Sequence, residues 1–196
     1  MRLPAPQSVR LARRGLALIL PLLLAACQMS AAPLSKPAAT LLGGAVSVAG
    51  PRGYCVDPAT KREQADTAVI LMGRCKFALT VQPAVLTVSI GPTASANVLA
   101  AGGKALTGYF TSPEGRAALS RIGRARDVTV LAALSAGDAY LLHLNDRAVG
   151  DYWRAVVGLN GRLVTISANG AQGAPLASPA GRALIDATLL ALRRAN

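Results

Sequence analysis

One dipeptide and its flanks constrain this chain more than any other feature. Asn160-Gly161 stands between two apolar runs, 152–158 (Tyr-Trp-Arg-Ala-Val-Val-Gly) and 162–167 (Arg-Leu-Val-Thr-Ile-Ser). A type I′ turn needs positive φ at both central residues, which Asn and Gly accept most readily. The alternation on either side points one set of side chains inward and the other outward. The expectation is a β-hairpin, and a hairpin with an apolar face needs further strands or a helix to cover it.

The rest of the chain supplies them. Runs 128–134 and 139–144 flank Ser135-Ala136-Gly137-Asp138 and read as another hairpin. Upstream, 84–90 alternates before Gly91-Pro92, 67–72 ends at Gly73, and 45–49 stops at Gly50-Pro51. Between them, 52–58 reads as a turn, with Asp57 and Pro58 capping one helical turn over 61–64. Ser112-Pro113-Glu114-Gly115-Arg116-Ala117 and Ser178-Pro179-Ala180-Gly181-Arg182-Ala183 echo each other, and shared N-capping chemistry explains the echo. The second opens a helix to Arg194 whose apolar stripe is Leu184, Ile185, Thr188, Leu189 and Leu192. Residues 94–106 are small, broken at Gly102-Gly103, and fit no single element. The sum is an α+β fold, a mainly antiparallel sheet covered by the C-terminal helix and one or two others. This element order resembles the Mog1/PsbP-like fold, a likeness that implies no function.

The N-terminus has a different logic. Arg2, Arg10, Arg13 and Arg14 precede an apolar run over 16–26 that contains Pro21. A basic segment followed by a short apolar one fits a secretory leader, and the run is too short for the ~20 residues a membrane-spanning helix needs. It ends in Leu24-Ala25-Ala26-Cys27, which resembles the lipobox of bacterial lipoproteins. The resemblance implies cleavage before Cys27 and diacylglyceryl and acyl (palmitate-type) modification of that cysteine, since stable anchoring takes more than one chain. It also implies that Gln28, which is not the Asp of inner-membrane retention, favours the outer membrane. Three regions follow: a signal peptide at 1–26, a lipidated N-terminus and flexible tether at 27–42, and a single globular domain at 43–196. Arg13-Arg14 leaves both the general and the twin-arginine export routes open. The membrane partner is reached through the N-terminal lipid.

With Cys27 assigned to lipid by that resemblance, Cys55 and Cys75 remain in an oxidising compartment and are expected to form a disulfide. Charge fits the same setting. The whole chain carries 21 Lys plus Arg against 9 Asp plus Glu; without the four leader arginines, 17 stand against 9 for a formal +8. Such a balance suits an envelope protein partner or anionic envelope material. Scattered positive residues, few aromatics and an export signal argue against nucleic acid.

Catalytic signals are sparse. The one histidine, His143, lies in a strand and shares a face with Leu141 and Asn145. A Cys55–His143 pair would suit a cysteine-dependent hydrolase or transferase, but only with Cys55 a free thiolate. No metal-ligand set or phosphate loop is apparent, so no catalytic residue, metal or cofactor is assigned. Tyr152-Trp153, between Asp151 and Arg154, reads as core packing or a binding surface. Arg126-Asp127 and Asp146-Arg147 read as solvated turn pairs. The leading expectation is a non-catalytic binding or envelope-assembly module; a small apolar ligand held between the sheet and the terminal helix is a further reading.

Overall fold

A computed structural model describes residues 39–196; the expected leader, Cys27 and most of the expected tether lie outside the described residues. The Asn160-Gly161 turn has φ of 49° and 75°, as its chemistry requires. It joins β8 (Gly150–Leu159) to β9 (Arg162–Gly170). Ahead of them run β1 (Ala39–Leu41), β2 (Val46–Val48), β3 (Tyr54–Gln64), β4 (Thr67–Arg74), β5 (Ala84–Ile90), α1 (Gly102–Thr111), α2 (Pro113–Leu119), β6 (Val128–Ala136) and β7 (Ala139–Asp146). Helix α3 (Ser178–Ala195) ends the chain. None of the described helices is long and apolar enough to cross a membrane.

The fold is α+β. Seven strands form one antiparallel sheet in the order β3-β4-β5-β9-β8-β7-β6, and β1 pairs with β2 in a separate two-stranded ribbon. The sheet is thus two meanders joined side by side, with Val88 of β5 opposite Ile166 of β9. Alternation sorts the side chains cleanly. Ile70, Met72, Leu86, Val88, Ala155, Val164, Ile166 and Ala168 point to one face, where Ile185, Leu189 and Leu192 of α3 and Leu41, Val46 and Val48 of the ribbon cover them. Tyr140, Leu142, Leu144, Tyr152 and Val156 point to the other, where Leu106 of α1 and Leu119 of α2 meet them.

Three local expectations change. The tether assigned to 27–42 loses its last residues to the domain: 39–41 form β1, Leu41 is fully buried, and the Leu42 amide donates to Glu63 Oε1 at 2.7 Å. A three-residue strand has too few positions to show alternation, and only its burial reveals it. The helical turn placed over 61–64 is instead the second half of β3, so 52–58 is a turn only at its start. Asp57 Oδ1 accepts the Ala59 amide, and Thr60 Oγ1 accepts the Leu71 amide. These bonds stand in for the ladder across a bulge between Asp57 and Arg62. Finally, Asp146 is no solvated partner of Arg147: it is buried, with Oδ1 accepting the Ala148 amide. Asp127 takes both Arg124 and Arg147, each at 3.7 Å.

The two Ser-Pro motifs also diverge. Ser112 caps α2, accepting the Gly115 amide at 3.1 Å. Ser178 makes no capping bond, because its hydroxyl is engaged by Trp153 and His143.

Candidate functional site

Cys55 and Cys75 form a disulfide with Cα atoms 5.0 Å apart. Their placement follows from pairing: Cys55 lies opposite Gly73 near the start of β3, and the Cys75 amide donates to the Gly53 carbonyl just past the end of β4. Closing a 20-residue loop stabilises by roughly 3 kcal/mol in loop-closure entropy. The bridge leaves no thiolate at Cys55. His143 is on β7, five strands away across the sheet, about 24 Å at ~4.8 Å per strand. The structure does not bring Cys55 and His143 together.

His143 sits instead over Trp153 of β8, rings parallel with centroids 4.7 Å apart. Its Nε2 is 3.2 Å from Ser178 Oγ, which also accepts the Trp153 indole N–H at 3.0 Å. Asp151 Oδ2 lies 3.9 Å from the same Nε2. Serine, histidine and aspartate are therefore neighbours, yet they are not arranged for nucleophilic catalysis. A base that takes a proton through Nε2 needs its carboxylate on Nδ1; here both approach one nitrogen. Trp153 is itself buried, with the Arg182 guanidinium 5.2 Å over its ring. The cluster fastens the first turn of α3 to the sheet.

An apolar cavity lies on the opposite face. The 3-10 turn Ser95–Ala101 packs on β8 and β9, α1 and α2 pack toward β6, and between them lies a cavity of about 350 Å³. Leu99, Leu106, Phe110, Leu119, Val156 and Leu163 wall it, and Val98 and Tyr109, each about half exposed, mark its mouth. The helices cannot close the gap because they are short and glycine-limited. Gly115 approaches the Tyr109 carbonyl so closely that a Cβ would come within 2.0 Å of it, which fixes the tight α1–α2 corner.

One cation lines this apolar space. Arg154 Nε donates to Ser167 Oγ at 3.0 Å and its guanidinium lies 5.6 Å over the Tyr152 ring. Among the described residues no carboxylate forms an ion pair with it. Tyr152 is buried beneath, and that burial pushes its phenol up, so it remains a neutral hydroxyl at physiological pH. The chemistry on offer is an apolar receptacle with a cation at its wall.

The expected cavity between sheet and terminal helix is displaced. Under α3 the side chains of Ile185 and Leu192 are fully buried against the sheet, and the cavity belongs to α1 and α2. Tyr152 and Trp153 are core residues on opposite faces and form no binding surface together. The site eluded sequence reasoning because its walls come from 94–106, the stretch that fits no single element. Arg154 was legible as a charged residue inside an apolar strand, facing away from Trp153. Cys27, the expected lipid acceptor, lies outside the described residues. No known protein family, curated protein or solved structure matches the chain.

Proposed function

We propose that the chain is a lipid-anchored envelope protein of the periplasm-facing membrane surface, the outer membrane in particular, and that its domain is a non-catalytic binding module. The anchor reading rests on Leu24-Ala25-Ala26-Cys27 behind a basic and apolar leader. A Cys55–Cys75 bridge is in keeping with an oxidising compartment. The binding reading rests on one observation, the apolar cavity beside Arg154. A half-buried guanidinium that pairs with no carboxylate among the described residues suits an anionic head, and the aliphatic walls suit a tail. The ligand class is an amphipathic molecule with a carboxylate or phosphate head.

Two measurements test this. Intact mass of the protein taken from membranes should show an acylated N-terminus at Cys27; an unmodified residue 27 overturns the anchor. Titration with dodecanoate should give saturable binding that Arg154→Gln weakens roughly tenfold, about 1.4 kcal/mol, while dodecanol binding is unchanged. Equal loss for both probes, or no saturation, overturns the binding site.

A further inference from the structure

Charge is distributed unevenly along the strands. Because all seven strands are antiparallel, the start of β3, the end of β4, the start of β5, the end of β7 and the start of β8 share one end of the sheet. Two loops project there from opposite edges. Following β4, a loop exposes Phe77 and Leu79, with 90% and 74% of their surface in solvent. Between α2 and β6, a second loop exposes Ile122 at 56%.

Large apolar side chains so exposed usually collapse onto the nearest surface, yet both loops are held open by their own bonds. The first is tied by the disulfide, by the Cys75 amide on Gly53, by the Ala78 amide on the Cys75 carbonyl and by Tyr54 Oη on the Gln82 carbonyl at 2.7 Å. The second is tied by the Ile122 amide on Ser120 Oγ and the Arg147 amide on the Asp127 carbonyl. Phe77 has the Lys76 ammonium 5.7 Å over its ring, yet 90% of its surface stays in solvent, and Leu79 and Ile122 are likewise presented outward.

Their surroundings are basic. Arg52, Arg74 and Lys76 stand exposed around the first loop; Arg121, Arg124, Arg126 and Arg147 stand exposed around the second. The carboxylates of the strands and turns at this end are Asp57, Asp127, Asp146 and Asp151; of those on the helices, Glu114 stands exposed on α2 and Asp186 of α3 is paired with Arg182. Asp146 is buried, and Asp127 is nearly so and shared between two arginines. Glu63, Asp66 and Asp138 lie at the far end, in or beside the β3–β4 and β6–β7 turns. The field along the strand axis thus runs from positive to mixed.

The chain also enters the domain at the basic end. Ala39 pairs with Val48, and two residues further Gly50-Pro51 folds back onto Tyr54 at the start of β3. From Cys27 to Ala39 the backbone reaches at most about 40 Å when fully extended. An acylated Cys27 would tether the domain through this end, within about 40 Å of the bilayer, a step that rests on the anchor reading above.

We propose that the basic end of the domain lies against an anionic lipid bilayer, with Phe77, Leu79 and Ile122 in the headgroup layer and the surrounding cations on lipid phosphates. Apolar tips ringed by arginine and lysine are what an anionic interface favours. The first loop follows β4 and the second leads into β6, five strand spacings away, roughly 24 Å at ~4.8 Å per strand. Two footholds at that spacing orient the domain as well as hold it.

Depth-sensitive fluorescence tests the arrangement. Phe77→Trp, Ile122→Trp and, at the far end, Gln64→Trp are placed singly in the full chain purified from membranes, with buried Trp153 as the constant background. Each is mixed with phosphatidylcholine vesicles with or without phosphatidylglycerol, carrying brominated acyl chains. With phosphatidylglycerol, the reporters at 77 and 122 should shift to shorter wavelength and lose at least about half their emission to bromine, and Gln64→Trp should not. Salt at about 0.5 M should reverse the effect, because exposed charges are then largely screened. Unquenched reporters at either loop, or equal quenching without phosphatidylglycerol, overturn the proposal. Intact mass of the same samples keeps the two readings apart. Quenched reporters on an unacylated chain overturn the anchor and leave this face standing; unquenched reporters on an acylated chain do the reverse.

Discussion

The two faces of the central sheet are made by the same strands and closed in unlike ways. On one, α3 lies along β8 and β9 beside the β1–β2 ribbon, and Leu41, Ile70, Leu86, Ile166, Ile185 and Leu192 have no exposed surface. On the other, α1 and α2 are short, turn a glycine-limited corner, and leave a cavity beside Arg154. Alternation alone delivers two apolar faces. What differs is the length of helix available to cover each, and the shorter helices leave the opening.

Truncation should expose that difference most. Leu192→Ala is expected to cost about 3–4 kcal/mol in urea unfolding, because the hole it leaves is enclosed on all sides. Leu106→Ala, which only widens a cavity already present, should cost nearer 2 kcal/mol, the transfer component alone. Equal losses would mean that the second face is packed as tightly as the first.

Enlargement should act with the opposite contrast and a smaller size. Ala155 has no exposed surface beneath α3, so Ala155→Leu should destabilise by about 2 kcal/mol through overpacking. Leu99→Phe, growing into the cavity, should change stability by less than about 0.5 kcal/mol while weakening dodecanoate binding. Thermal midpoints of the pair read this directly, and a tolerated leucine at 155 would break the comparison.

The smallest effect concerns the far end of the strands. Arg162, nearly buried at the start of β9, donates to Asp66 Oδ1, the Asp66 and Gly91 carbonyls and Thr93 Oγ1. The Thr93 amide bond, followed by Arg162, holds the Asp66 carboxyl below its ordinary range. A lowered folded value contributes stability above the unfolded pKa and loses it as pH falls through the folded one. Wild type should therefore lose more of its thermal midpoint than Asp66→Asn between about pH 5 and pH 2. Parallel curves would show that the network is indifferent to this proton.

Much of the fold was legible because its signals are local. Asn160-Gly161, the alternation over 84–90, the Ser112-Pro113 cap and the stripe on the last helix each act within a few residues, and each stands where expected. The misread parts depend on distant partners. Residues 61–64 join a strand because β4 pairs with them, and 39–41 do so because the ribbon folds over the core. Ser178 carries the same motif as Ser112 but gives its hydroxyl to Trp153 and His143, which only the docking of α3 brings near. The disulfide was legible once the compartment was inferred. The cavity was not, because it is defined by what two short helices fail to reach.

The seam between β5 and β9 carries a consequence for how the molecule comes into being. The middle of the sheet is its least local part, since Val88 waits for Ile166. Until β9 has emerged, the first meander ends in the unpaired amides and carbonyls of β5, an edge open to any other chain. Pairings of such long range slow the search for the native state and lengthen that exposure. The Cys55–Cys75 bridge lies wholly inside the first meander, so it can close before the seam does and hold β3 against β4 in the interval.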